Sequence, residues 1–161
     1  GETEFAAMRR ARERLPDATR ARLANARAWH DYAHSRGKIA PHLASERERA
    51  AMPPVRWRMH WRNPANGRES LYVASHTYAI DGMPDDEAQA LLAELIAAAT
   101  APGCTWEHRW QHGDIVMWDN RAVLHRGHPW PDDKPRHMVR TTISATDTDG
   151  LAELRPAQAA A

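Results

Sequence analysis

Apolar and polar positions alternate most strictly over residues 55 to 62, where Val55, Trp57, Met59 and Trp61 interleave with Arg56, Arg58, His60 and Arg62. A period of two is that of a strand with one buried face. Asn63-Pro64-Ala65-Asn66-Gly67 supplies a turn and residues 70 to 73 return, so a β-hairpin is expected over 55 to 73, with His60 on its exposed face. The period changes after residue 84. Ala88, Leu91, Leu92, Leu95, Ile96 and Ala99 form one helical stripe, Asp85 and Asp86 suit a helix N-terminus, and Pro102-Gly103 ends it, which predicts a helix over about 85 to 100. Trp106, His108 and Trp110 alternate as a strand before the turn-forming Gln111-His112-Gly113-Asp114. Ile115 to Trp118 is a short apolar run suited to a buried strand; Asp119-Asn120-Arg121 breaks it, and Val123-Leu124 begins another strand that ends on His125.

The first third carries weaker patterns. Phe5, Met8 and Leu15 fit a helix over residues 4 to 15, and Leu23, Ala26, His30 and Ala33 fit a second one between Pro16-Asp17 and Gly37. Residues 37 to 54 are polar with scattered prolines and read as a long loop, from which His42 could reach a site but is expected to be solvated. His76 and Tyr78, after the hairpin, are pocket-lining candidates. From Asp147-Thr148-Asp149-Gly150 onward an alanine-rich stretch, 147 to 161, reads as a flexible tail beyond one domain over 1 to 146.

Composition narrows the function classes. At 161 residues, 42% hydrophobic and 27% charged, the chain can bury a core, and a net charge of +1 gives no strong pull toward nucleic acid or membrane. Arg9, Arg10, Arg12, Arg14, Arg20 and Arg22 are interleaved with Glu2, Glu4 and Glu13, as on a solvated amphipathic face. Cys104 is the single cysteine, so an internal disulfide is excluded and a reducing compartment is expected. No run is long enough to span a membrane as a helix, and no signal-peptide h-region opens the chain, so a soluble cytoplasmic protein is expected.

The candidate chemistry gathers near the C-terminal end. His125 follows Trp118-Asp119-Asn120-Arg121 closely, and Arg136 and Arg140, four apart, would share one face of a strand over 136 to 143. This pattern, a histidine seven residues after the tryptophan and arginines eleven and fifteen residues beyond it, resembles the C-terminal signature of the TauD/TfdA family. Two further segments extend the resemblance over residues 1 to about 146. Gly1-Glu2-Thr3-Glu4-Phe5-Ala6 is similar to that family's Gly-Gly-Asp/Glu-Thr-x-Phe-Ala segment, and Asn63-Pro64-Ala65-Asn66-Gly67-Arg68-Glu69-Ser70-Leu71 to its His-Pro-x-Thr-Gly-Arg-x-x-Leu hairpin.

The resemblance implies an Fe(II)- and 2-oxoglutarate-dependent dioxygenase that uses O₂ to hydroxylate a small anionic substrate, a carboxylate or sulfonate. It assigns His125 to the metal as the distal histidine of a facial triad, Thr3 and Arg136 to the far carboxylate of 2-oxoglutarate, and Arg140 to the substrate anion. A planar guanidinium suits bidentate carboxylate recognition. Surface ion pairs with Asp132, Asp133 or Glu107 are the structural alternative for both arginines, as core packing is for Trp118. The implied fold is mainly β with flanking helices: a double-stranded β-helix, or jelly roll, incomplete at its N-terminal side. Its open edge would be satisfied by water or by a neighbouring copy in a homo-oligomer.

The family's proximal His-x-Asp precedes the Gly-Asp/Glu-Thr segment, where this sequence starts, so the expected triad is incomplete and a C-terminal portion of a longer enzyme is expected. His112-Gly113-Asp114 has the His-x-Asp form but falls in a turn, far from where the family places that motif. Two other readings compete: a jelly-roll module that binds a small carboxylate without metal chemistry, and a zinc site built from His125, His128 and His137, which lacks a fourth ligand.

Overall fold

The computed structural model describes residues 1 to 146 and residue 148, so the expected tail over 147 to 161 lies almost wholly outside the described residues. Among those residues, eight short strands form three small sheets flanked by helices, and they do not close into a barrel. In the first sheet, β1 (Thr3–Ala7) lies between β7 (Thr105–His108) and β8 (Val123–Gly127), antiparallel to both. In the second, β2 (Arg27–His30) lies between β3 (Val55–Arg58) and β6 (Thr77–Ile80), again antiparallel. The third is the hairpin of β4 (His60–Arg62) and β5 (Glu69–Leu71).

The helices pack across these sheets. α1 (Met8–Arg14) follows β1 directly and lies over β5, and α2 (Asp17–Leu23) follows it. α5 (Asp85–Ala99) buries Ala88, Leu91, Leu92, Leu95 and Ala99, the stripe its spacing predicts. Those side chains meet Met8, Ala11, Leu15, Leu23, Ala28, Met59, Leu71, Val73 and Ile80 in the main core. Trp61 and Ala122 form a second nucleus with Trp57 and Tyr72 packed against it. The α1 and α2 arginines are largely neutralised: Arg10 pairs with Glu13, Arg12 with Glu69, Arg20 with Asp17 and Arg22 with Glu87.

Several expected elements differ. Residues 4 to 15 begin as β1 and turn helical only at Met8, because β1 finds ladder partners on both sides. The second expected helix is divided: α2 ends at Leu23, residues 27 to 30 form β2, and α3 (Tyr32–Gly37) starts afresh with the Asp31 side chain accepting the Ala33 N–H. Ala26, His30 and Ala33 have helical spacing, yet the pairing of β2 with two distant strands outweighs it. The expected loop over 37 to 54 holds a 3-10 turn (Pro41–Leu43), with His42 exposed, and α4 (Glu46–Ala51), opened by a capping box between Ser45 and Glu48.

The hairpin is confined to β4 and β5, since Val55–Arg58 joins the second sheet and Met59 bridges the two, its N–H donating to Ala26 O. His60 is half-buried rather than exposed, because α1 and the Arg12–Glu69 pair cover that side of β5. Ile115 to Trp118 forms no strand; Ile115 is 95% and Met117 90% exposed. Residues 136 to 143 likewise form none, and Arg136 and Arg140 are exposed there. Both segments lack a ladder partner among the described residues, and apolar character alone does not make a strand.

Candidate functional site

His125 stands in the middle of β8, opposite Phe5 of β1. Alternation puts Thr3, Phe5 and His125 on one face, since Thr3 is opposite Gly127 and Phe5 opposite both His125 and Trp106. Around the imidazole this face is aromatic. Trp118 lies 5.0 Å from His125 and Phe5 6.4 Å, while Trp106 stacks on Phe5 at 5.7 Å and Trp118 meets Phe5 edge-on at 5.2 Å. Although His125 is exposed as a whole residue, these rings withdraw water from its imidazole and Arg140 adds positive charge, so its pKa falls below the usual histidine value. The neutral form that can ligate a metal is therefore favoured near neutral pH.

The Trp118-Asp119-Asn120-Arg121 segment is a folded clamp that sets up β8. The Trp118 indole N–H donates to Asn120 Oδ1 at 2.8 Å, and Asp119 Oδ1 accepts both the backbone N–H and the Nε–H of Arg121 at 2.9 Å. Burial alone would raise the Asp119 pKa, but its hydrogen bonds with Arg121 prevail and lower it. The Arg121 guanidinium lies over the Trp61 ring at 4.5 Å, and its carbonyl accepts the buried Ser70 hydroxyl at 2.7 Å. The next residue, Ala122, accepts the Met8 N–H at 3.0 Å. Turn, core and strand are thereby locked together three residues before His125.

Thr3 is 8% exposed, and its Oγ1 accepts the indole N–H of Trp110 at 2.9 Å. Arg136 donates from Nη2 to the carbonyl of Gly1 at 2.8 Å, two residues from Thr3, and lies over the Trp130 ring at 5.9 Å. Arg140 is exposed, and its positive charge is a minor contributor to the lowered pKa of His125. Among the described residues neither arginine is ion-paired with Asp132, Asp133 or Glu107. Arg136 thus reaches the start of β1, and neither arginine lies on the shared strand the spacing suggests.

An open cleft of about 600 Å³ runs beside β1 and β8, with Phe5, Tyr72, Ser75, His76, Arg121 and His125 among its lining residues. His76 borders the cleft, whereas Tyr78 packs on His34 at 5.5 Å. Behind His76 lies His30, a residue whose chemistry the sequence did not announce. It is 3% exposed, its Nδ1 is 3.2 Å from Thr77 Oγ1, and its rings neighbour Tyr72 at 5.4 Å and His76 at 5.1 Å. Burial, with a smaller effect of His76, lowers its pKa to about 3.

Only one trio of possible metal ligands converges among the described residues: Glu4, Glu107 and His128, all within 4.8 Å. It lies on the other face of the first sheet, because Glu4 is opposite Glu107 and Arg126 while its neighbour Phe5 is opposite His125. Arg126 pairs with Glu4 in the same cluster, which reads as an ion-pair network. His125, His128 and His137 do not form such a trio. Asp114, in the rejected His112-Gly113-Asp114 motif, accepts the Gln111 N–H at 2.8 Å and pairs with His108 at 2.9 Å, around Gly113 at φ +88°. Among the described residues no convergent trio of possible metal ligands includes His125.

The family described as taurine catabolism dioxygenase TauD, TfdA family matches residues 1 to 142. The chain is 42% identical over 142 residues to an alpha-ketoglutarate-dependent 2,4-dichlorophenoxyacetate dioxygenase of Burkholderia sp. (strain RASC), covering 88% of this chain and 48% of that protein. It is 33% identical over 162 residues to an (S)-phenoxypropionate/alpha-ketoglutarate-dioxygenase of Delftia acidovorans, covering 94% and 54%. A crystal structure of AAD-2 in complex with Mn(II) and N-oxalylglycine aligns with a TM-score of 0.78 at 36% identity, covering 84% of this chain and 53% of that one. The chain spans about half the length of the curated relatives it matches.

Proposed function

Because the chain belongs to the TauD, TfdA family, we propose that it is the part of an Fe(II)- and 2-oxoglutarate-dependent dioxygenase that carries the distal metal histidine and the arginines for cosubstrate and substrate. The fold in this reading is a jelly roll of which the three small sheets are a portion. The supporting observation is the shared face of β1 and β8, which carries Thr3 and His125 together, with Arg136 arriving beside Gly1.

His125 would hold the metal through its neutral imidazole, with a second histidine and a carboxylate not among the described residues' convergent groups completing the triad. Iron and 2-oxoglutarate together supply the oxidising power, so that O₂ hydroxylates the substrate while 2-oxoglutarate leaves as succinate and CO₂. The residues of this chain orient the reactants. The Arg136 fork and the Thr3 hydroxyl bind the far carboxylate of 2-oxoglutarate. Arg140 holds the substrate's anionic group, and the aromatic wall of Phe5, Trp106 and Trp118 shields one side of the His125 imidazole from water and positions it.

Relatives named for 2,4-dichlorophenoxyacetate and (S)-phenoxypropionate favour a small aryloxy carboxylate as the substrate class. O₂ and this small molecule are the partners, with neither nucleic acid nor membrane involved and homo-oligomerisation compatible with the open sheet edges. Among the described residues no helix is long and apolar enough to cross a membrane. A cytoplasmic location belongs to the same reading and rests on the single cysteine. Succinate release by the iron-loaded complete protein, with phenoxyacetate or taurine present, tests it. Phenoxyacetate should raise succinate release well above taurine. The reverse order would reassign the substrate to sulfonates, and no succinate with any anion would favour a binding module without metal chemistry.

A further inference from the structure

We infer that Trp110 is a positioning residue that aims the Thr3 hydroxyl at the cosubstrate. This inference rests on the proposed role of Thr3. An indole N–H can only donate, whereas a hydroxyl holds one proton and two acceptor lone pairs. The bond from Trp110 Nε1 to Thr3 Oγ1 at 2.9 Å occupies an acceptor position and leaves the hydroxyl proton available. Thr3 makes no other side-chain hydrogen bond among the described residues and is 8% exposed, so little water competes for that proton. A hydroxyl held this way is a preset donor, suited to a carboxylate.

Trp110 is itself held from behind. His108 meets its ring edge-on at 4.6 Å and 87°, and His108 Nε2 lies 2.9 Å from Asp114 Oδ2. That same carboxylate oxygen accepts the Gln111 N–H at 2.8 Å across the turn at Gly113. The turn therefore fixes the imidazole, the imidazole fixes the indole, and the indole fixes the hydroxyl. Arg136, two residues from Thr3 through its bond to the Gly1 carbonyl, brings the positive charge that the anion requires. Part of what looked like a decoy metal motif, Asp114, thereby acquires a role.

The test is the dissociation constant of 2-oxoglutarate for the complete iron-loaded protein, measured by calorimetry without O₂, beside the KM of the organic substrate. Trp110→Phe keeps an aromatic ring and removes the N–H; one lost neutral hydrogen bond should weaken 2-oxoglutarate binding on the order of fivefold, with substrate KM unchanged. Thr3→Val should weaken it at least as much, Thr3→Ser should restore it, and Trp110→Phe should add nothing in the Thr3→Val background. Replacing Trp110 with 3-benzothienylalanine, which preserves the indole's shape without its donor, gives the same expectation if Trp110→Phe folds poorly. Unchanged affinity in both Trp110 variants, with Thr3→Val still weak, would overturn the positioning role and leave the proposed site intact. Additive losses in the double variant would also overturn it, since Trp110 would then act by packing. If Thr3→Val and Arg136→Ala both bind 2-oxoglutarate normally, the proposed cosubstrate site itself is wrong, and this inference falls with it.

Discussion

At the level of single residues, labour is divided between two arginines four positions apart, Arg136 and Arg140. Arg136 is tied to the start of β1 through Gly1, whereas Arg140 contributes only a positive charge to the lowered His125 pKa. Arg136→Ala in the complete enzyme should therefore weaken 2-oxoglutarate binding whichever substrate is used, by ~2 kcal/mol for a lost charge-assisted pair, or about thirtyfold. Arg140→Ala should raise the substrate's KM or change its preference, with cosubstrate affinity nearly intact. Identical profiles for the two variants, read from separate KM determinations, would erase the distinction.

His30 couples the fold's stability to pH. Its folded-state pKa of about 3 lies below the ordinary value of 6.5, so the unfolded chain binds a proton there that the folded chain does not. Its contribution is complete above pH 6.5 and is lost as pH falls toward 3, at about 1.4 kcal/mol per pH unit. Burial lowers the pKa of His34, His60, His76 and His125 as well, so these losses add in the same direction. Urea unfolding across that range should show stability falling with acidity, and His30→Asn should flatten the slope. A slope that stays the same in the variant would mean other groups dominate.

Among the elements, α5 and its core contacts carry the packing of the main nucleus. Leu95, 2% exposed, lies at its centre, so Leu95→Ala should cost 2 to 5 kcal/mol, about what a buried leucine truncation costs elsewhere, as measured by urea denaturation. A loss below 1 kcal/mol, on the order of a surface change, would indicate that α5 is peripheral. This helix was legible in the sequence because its stripe, acidic start and Pro-Gly stop agree with each other. β2 was not, because Ala26, His30 and Ala33 have helical spacing while the strands that pair with β2 lie 25 or more residues later, at Val55–Arg58 and Thr77–Ile80. Ile115 to Trp118 failed in the opposite way: an apolar run was read as a buried strand although nothing among the described residues pairs with it. Strand formation depends on partners, and the local pattern does not name them.

Seen as a whole molecule, the same distinction governs the site. His125 stood out as a candidate because its motif is local, and the structure places it on a strand behind the clamp formed by Asp119 and Arg121. Trp110 and His30 were not legible as functional candidates, since their partners Thr3 and Thr77 lie 107 and 47 positions away. In the proposed reading the donor set is likewise split: one imidazole stands on the β1–β8 face, and no convergent trio of possible ligands among the described residues includes it.

Whether His125 completes a metal site with ligands outside these residues is directly measurable. Succinate formation from 2-oxoglutarate with Fe(II) and O₂ should be compared for residues 1 to 161 alone and for a longer protein carrying a His-x-Asp segment upstream of Gly1, each with and without His125→Ala. One imidazole binds iron too weakly to hold it, so the account predicts no succinate from residues 1 to 161, succinate from the longer protein, and loss of that activity with His125→Ala. Turnover by residues 1 to 161 that disappears with His125→Ala would mean the triad is completed within this chain, and turnover by the longer protein that survives His125→Ala would remove His125 from the metal altogether.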